Sequence, residues 1–117
     1  MTGRRPARLA EEMREVVAGL VSRLKDPRIG FVTVTRVELT SDLSHARVYV
    51  GVLGGEVERG RTLEALQHAA GHLRGEMGRR LHLRHAPQIH FEYDRGLDAA
   101  DRVSQLLDEI KSEEPEK

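Results

Sequence analysis

The sequence predicts an α+β domain, a three-stranded sheet with helices on one face, in the order helix, strand, strand, broken helix, strand, helix. Three observations predict it. Two runs rich in β-branched residues, 31–39 and 45–52, are separated by turn-forming residues and read as a hairpin. Helical apolar spacings flank that hairpin, and the second helical pattern is interrupted by Gly71, Gly75 and Gly78. A third alternating run, 88–94, follows Pro87, so the interrupted helix must act as a crossover between strands two and three.

Leu9, Met13, Val16, Val17, Leu20, Val21 and Leu24 recur at three- and four-residue spacings and form one apolar stripe of a first helix. Asp26-Pro27 ends it, because the residue before proline is pushed out of the helical region. In 31–39, Val32 and Val34 favour one face while Val37 and Leu39 favour the other, which predicts a bulge or a strand buried on both faces at one end. Thr40-Ser41-Asp42 is turn chemistry, with Asp42 accepting backbone hydrogen bonds. Residues 45–52 alternate cleanly, Ala46, Val48, Val50 and Val52 against Arg47, Tyr49 and Gly51. Residues 54–60 read as a glycine-rich connection. Leu63, Leu66, Ala69 or Ala70, Leu73, Met77 and Leu81 then carry a helical pattern. Each interior glycine costs about 1 kcal/mol relative to alanine, so a kink is expected near Ala70-Gly71. Ile89, Phe91 and Tyr93 share a face of the third strand, and Val103, Leu106, Leu107 and Ile110 mark a last helix over 98–111. Residues 1–111 thus form one domain, and 112–117 a short, charged, disordered tail.

Composition narrows the function. With 0 Cys, disulfides, thiolate zinc sites and cysteine nucleophiles are excluded. The basic N-terminus has no apolar run behind it and the longest apolar stretches are far short of a membrane span, so a cytoplasmic protein without signal peptide is expected. Net charge is zero, yet residues 1–97 carry 16 Arg or Lys against 12 Asp or Glu, and residues 98–117 carry 3 against 7. A basic body with an acidic end fits a nucleic-acid partner. With 2 Phe, 2 Tyr and 0 Trp there is little for bases to stack on, so backbone, charge and shape would carry recognition.

From residues 4 to 110 the chain resembles the ribosome-binding factor A family. The resemblance rests on Asp26-Pro27-Arg28 before Thr33-Val34-Thr35, Ser41-Asp42-Leu43-Ser44 before Ala46-Arg47-Val48-Tyr49-Val50, and Ala69-Ala70-Gly71 between helices. Arg80-Leu81 with Arg84 and Pro87, Phe91-Glu92-Tyr93-Asp94 and the closing Leu106-Leu107 complete it. It implies a type II KH-like domain, αββααβ, in which an Ala-x-Gly helix kink replaces the glycine-rich loop, plus a C-terminal helix. It also implies a monomeric, non-enzymatic factor without cofactor that binds the free 30S subunit near the 5′-terminal helix of 16S rRNA. Late maturation, 5′-end processing of the precursor, cold adaptation and coupling to assembly GTPases follow from the same resemblance. The chain departs from many members at Gly96, where they carry serine.

Candidate RNA-binding residues fall in three groups. Ala69 and Gly71 would let RNA backbone approach a helix N-terminus, where N–H groups and the dipole favour phosphate. Arg74, Arg79, Arg80 and Arg84 lie on or just beyond the following helix, where Arg80 and Arg84 would share a face. Arg4, Arg5 and Arg8 at the N-terminus, and Lys25 and Arg28 around the Asp26-Pro27 turn, add cations suited to phosphate. Against these stand ordinary readings: small residues for close helix packing, and a solvated charged face. His68 and His72, four apart, invite a metal-dependent hydrolase, but the helix breaks between them and HExxH is absent. The acidic last helix (Asp101, Asp108, Glu109) would alternatively make the chain a protein-interaction module.

Overall fold

The computed structural model describes residues 6–96, so Arg4, Arg5, the expected final helix and the tail lie outside the described residues. The elements are α1 Pro6–Val21, β1 Val32–Leu39, β2 His45–Val52, α2 Glu56–His68, α3 Ala70–Arg80 and β3 Gln88–Tyr93. The sheet order is β1-β2-β3, with β1 antiparallel and β3 parallel to the central β2. Parallel pairing of β2 and β3 requires a crossover, and α2–α3 supplies it.

The core lies between one face of the sheet and the helices. Met13 and Val17 of α1, Leu66 of α2, and Leu73 and Met77 of α3 pack with Val48 and Val50, all nearly inaccessible. The opposite face carries Arg36, Glu38, Arg47 and Glu92, joined by Arg36–Glu38 and Arg47–Glu92 ion pairs. Gln67 shields the β3 edge: its amide donates to the Ile89 carbonyl at 3.1 Å and accepts the Phe91 N–H at 3.0 Å. An edge strand otherwise presents such groups for pairing with another chain.

The irregularity expected in β1 is a bulge. Val34 pairs with Val50 and Arg36 with Tyr49, so Thr35 is the extra residue. Its hydroxyl donates to Asp94 Oδ2 at 2.6 Å and lies 3.2 Å from the Tyr49 carbonyl. At Gly96, the departure from serine, the backbone N–H itself donates to Asp94 Oδ1 at 3.0 Å. A Cβ there would sit 3.1 Å from that oxygen. The local contact therefore needs no side chain at 96.

Two boundaries differ from expectation. α1 stops at Val21, and Arg23 and Leu24 continue in tighter turns, donating to the carbonyls of Leu20 and Val21. Leu24 still packs against the core. The supposed connection 54–60 is helical from Glu56. Gly54 turns the chain at φ 124°, and the Glu58 carboxylate reaches back to the Gly55 N–H at 2.9 Å, closing the first turn.

Asp42 and Asp26 hold the two turns between the early elements. Asp42 Oδ1 accepts the Ser44 hydroxyl at 2.7 Å, the Thr40 hydroxyl at 2.8 Å and the Ser44 N–H at 3.1 Å. This lets Leu43 take φ 61° while its side chain packs on the core. Asp26 accepts from the Arg28 guanidinium and N–H. These bonds, to Ser44 first for Asp42 and to Arg28 first for Asp26, hold both carboxyls at about 2. Each group therefore contributes stability above the ordinary carboxylate range. That contribution fades as pH falls from about 4 toward 2. Urea midpoints should drop between pH 5 and pH 2.5, and the drop should shrink in Asp42→Asn; an unchanged pH dependence in that variant would count against the assignment.

Candidate nucleic-acid interface

The helix break falls at Ala69, one residue before the expected position. Ala69 has φ −85° and ψ −4°, and its N–H is shared between the Ala65 and Leu66 carbonyls. The chain thus turns within one residue, and α3 starts at Ala70 without a side-chain cap. His68 and His72 fall on different helices. Among the described residues, three or more potential metal ligands gather nowhere.

The three glycines of this stretch do different things. A Cβ on Gly71 would meet nothing within 4 Å, so close packing does not require a glycine there. A Cβ on Gly78 would lie 3.2 Å from Ala86 Cβ, where the chain returns toward β3. That return is built by the end of α3. His82 adopts φ 56°, with Leu83 N–H on the Gly78 carbonyl at 2.9 Å and His82 N–H on the Arg79 carbonyl at 3.3 Å. This Schellman arrangement terminates the helix. Gly71→Ala should therefore raise the urea midpoint, by about 0.5–1 kcal/mol of helix propensity. Gly78→Ala should not, since overpacking of about 1–3 kcal/mol opposes the same gain. Equal responses of the two variants would refute this division.

The Schellman turn corrects one expectation: α3 ends at Arg80, so Arg80 and Arg84 do not share a helix face. Arg84 instead stands in the loop beyond, on a groove of about 470 Å³ shared with Gly71, Arg74, Gly75, Gly78, Arg79 and His85. A second hollow, lined by Gly71, Arg74, Gln88 and His90 among others, continues it along β3. Gly71 and Arg74 belong to both. The open glycine, the N-terminus of α3 and three arginines thus converge on one surface. A phosphate lying there would meet N–H groups and the positive end of the α3 dipole.

The cations differ in how far they are committed. Arg74 Nε donates to the Ala86 carbonyl at 2.9 Å, fixing the returning loop. Arg79 is paired with Glu76 at 2.7 Å and is still 69% exposed. Arg84 is exposed and has no ion pair among the described residues, and the same holds for Arg80, which lies on α3 away from the groove lining. Arg8 pairs loosely with Glu12 at 3.6 Å. Lys25 is exposed in the α1–β1 loop. Arg28 is drawn inward, bonded to Asp26, to Glu64 at 3.3 Å and to His68 Nδ1 at 3.4 Å. Thr62 holds the same loop by contacts to Gly30 N–H and the Arg28 carbonyl. Arg28 thus fastens the loop to the end of α2, three residues before Gly71. Sequence reading takes His85 and His90 only as solvated or RNA-facing and does not single out Gln88; His85 lines the groove, and Gln88 and His90 line the hollow beside it. His90 also bonds His45 of the neighbouring β2, ring nitrogens 2.9 Å apart. The loop after α3 brings His85 to the groove, and the start of β3 brings Gln88 and His90 to the hollow.

Comparisons with known proteins bear on the family and the fold. A family model described as ribosome-binding factor A matches residues 5–107. A ribosome-binding factor A of Desulforamulus reducens is 49% identical over 94% of this chain and 92% of its own. That of Thermomicrobium roseum is 48% identical over 97% and 88%. Among solved structures, a Thermotoga maritima protein described as a ribosome-binding factor A superposes with TM-score 0.70 at 39% identity, covering 80% of this chain and 94% of that one. The crystal structure of Thermus thermophilus ribosome-binding factor A gives 0.68 at 31% identity over 77% and 97%. Coordinates of a homology model of the Thermus thermophilus factor, fitted into a cryo-EM map of its complex with the 30S subunit, give 0.65 at 31%, over 77% and 96%.

Proposed function

Because the chain belongs to the ribosome-binding factor A family, we propose that it binds the free 30S subunit by laying rRNA backbone across the groove at the α2–α3 break. The observation that carries this reading is Gly71: a glycine with open space around it, at a helix start, on a groove edged by Arg74, Arg79 and Arg84. A packing role would leave that space filled. Access for a backbone accounts for it.

In this reading the contact lies near the 5′-terminal helix of 16S rRNA, and the protein supports late maturation and 5′-end processing, including growth in the cold. It acts in the cytoplasm as a monomer, without cofactor or catalytic step, and its release is coupled to assembly GTPases. Arg84 would meet a phosphate directly and Arg79 by exchanging Glu76 for one, while Arg80, off the groove, would act at longer range. Lys25, Arg8, Arg4 and Arg5 would add longer-range attraction, while Arg28 would act by holding the loop beside the break.

Sedimentation of purified protein with free 30S subunits tests this. Co-migration at low salt is expected, with affinity falling by roughly one log unit per log unit of salt for each phosphate contact. Absence of co-migration at low salt would overturn the reading. Gly71→Ala sharpens it: a more stable protein that binds less well supports backbone access at the break.

A further inference from the structure

The segment that carries Arg84 and His85 along one wall of the groove is held by few bonds. Leu83 N–H is fixed on the Gly78 carbonyl at 2.9 Å, and Gln88 N–H on the Ser44 carbonyl at 2.9 Å. Between these two points, among the described residues, one hydrogen bond ties the chain down. It is the bond from Arg74 Nε to the Ala86 carbonyl, at 2.9 Å. Pro87 has no N–H with which to add another. Arg84 and His85 stand exposed at the head of this loop.

Gly71, Arg74 and Gly78 follow one another along one face of α3, at spacings of three and four residues. The loop meets that face differently at each. At Gly78 it touches the helix, since a Cβ there would lie 3.2 Å from Ala86 Cβ. At Gly71 a Cβ would meet nothing within 4 Å. The groove therefore opens from Gly78 toward the start of α3, and Arg74 bridges its two walls between them. Arg74 is exposed and has no ion pair among the described residues, so no carboxylate competes for its side chain.

We propose that Arg74 is a positioning residue for RNA, a strut that holds the loop bearing Arg84 at a set distance from the start of α3. Its work is the bond to Ala86 and not a phosphate contact of its own. The inference rests on the reading of this groove as the rRNA site and concerns how that site keeps its shape. A phosphate spans the start of α3 and Arg84 only while their spacing is held. Without the strut the loop would have to be ordered at the moment of binding, which costs affinity.

Two substitutions separate the donor from the charge. Glutamine carries its amide nitrogen where arginine carries Nε, so Arg74→Gln keeps the donor and removes the charge. Arg74→Lys keeps the charge and puts a methylene where the donor was. Both residues match arginine closely in helix propensity. Binding of each full-length variant to free 30S subunits is measured at several salt concentrations. Arg74→Gln should stay within about threefold of wild type with nearly the same salt slope, whereas Arg74→Lys should bind roughly tenfold more weakly. The reverse order, with the slope for Arg74→Gln lower by about one log-log unit, would make Arg74 a phosphate contact and overturn the proposal. Equal losses in the two variants overturn it too. A second measurement needs no RNA: nitrogen-15 relaxation of the Arg84 and His85 amides in the free protein. Both amides should become more mobile in Arg74→Lys and keep their wild-type values in Arg74→Gln. A loop unmoved in Arg74→Lys overturns the strut. Failure of the wild-type chain itself to bind would instead overturn the reading of the groove, and the relaxation data would still decide the strut.

Discussion

Replacing Arg79 and Arg84 together by glutamate is expected to weaken binding to free 30S subunits roughly a hundredfold at low salt. Both side chains line one groove and both are exposed. Losing two charge-assisted contacts of about 1.5 kcal/mol each removes about 3 kcal/mol, a factor of roughly a hundred. The salt dependence should flatten by about two log-log units, one for each phosphate that no longer meets an arginine. Stability should change by less than about 1 kcal/mol. Arg84 has no ion pair among the described residues, and the Arg79–Glu76 pair is a surface contact of small worth. Equilibrium binding at several salt concentrations, with urea unfolding of the same preparations, separates the two effects. Full binding with a wild-type slope would move the interface elsewhere. Arg28→Glu should behave in the opposite way, because Arg28 holds Asp26 and Glu64.

Asp94→Ala is expected to cost about 2–3 kcal/mol of stability. The Asp94 carboxylate is nearly buried, accepts the Thr35 hydroxyl and the Gly96 N–H, and lies 3.7 Å from Arg36 Nε. Deleting it leaves the hydroxyl of the bulged Thr35 without its carboxylate acceptor and removes a helix cap. For a domain of this size each kcal/mol lowers the melting temperature by roughly 4–8 °C. Asp94→Asn, which keeps an acceptor toward Thr35, should recover part of the loss. The Thr35 hydrogen bond is the first cause holding the Asp94 carboxyl below its usual range. The group therefore stabilises the fold above the ordinary carboxylate range, and the benefit is lost as pH falls through its lowered pKa. A melting temperature within 2 °C of wild type for Asp94→Ala, by the same scaling, would show that the bulge is held by β1–β2 pairing alone.

Asp94 also shows where reading the sequence stops. Nothing in the sequence pairs it with Thr35, fifty-nine positions away, because side-chain contacts across a sheet depend on register. The bulge itself was legible from the broken alternation of Val32, Val34, Val37 and Leu39, since a one-residue insertion switches faces. The break between helices was legible from glycine cost, but its position at Ala69 was not, because a single turn residue with near-helical angles leaves no signature in composition. Residues 56–60 resemble a connection in sequence because Gly55 and Gly60 look like loop residues. The Glu58 contact that stabilises the helix start appears only once the turn at Gly54 is formed.

By itself the sequence determined the order of the elements from α1 to β3, the faces they bury, the absence of cysteine and the family, because periodicity and short motifs are local properties of the chain. Tertiary structure alone decided which glycine is free and which is packed, and which arginine is bonded into the fold and which stands exposed. Gly71 and Gly78 look alike in sequence, as do Arg28 and Arg84. The difference between them is which atoms the fold brings within 4 Å: Ala86 against Gly78, open space at Gly71, Asp26 and Glu64 against Arg28, and solvent at Arg84.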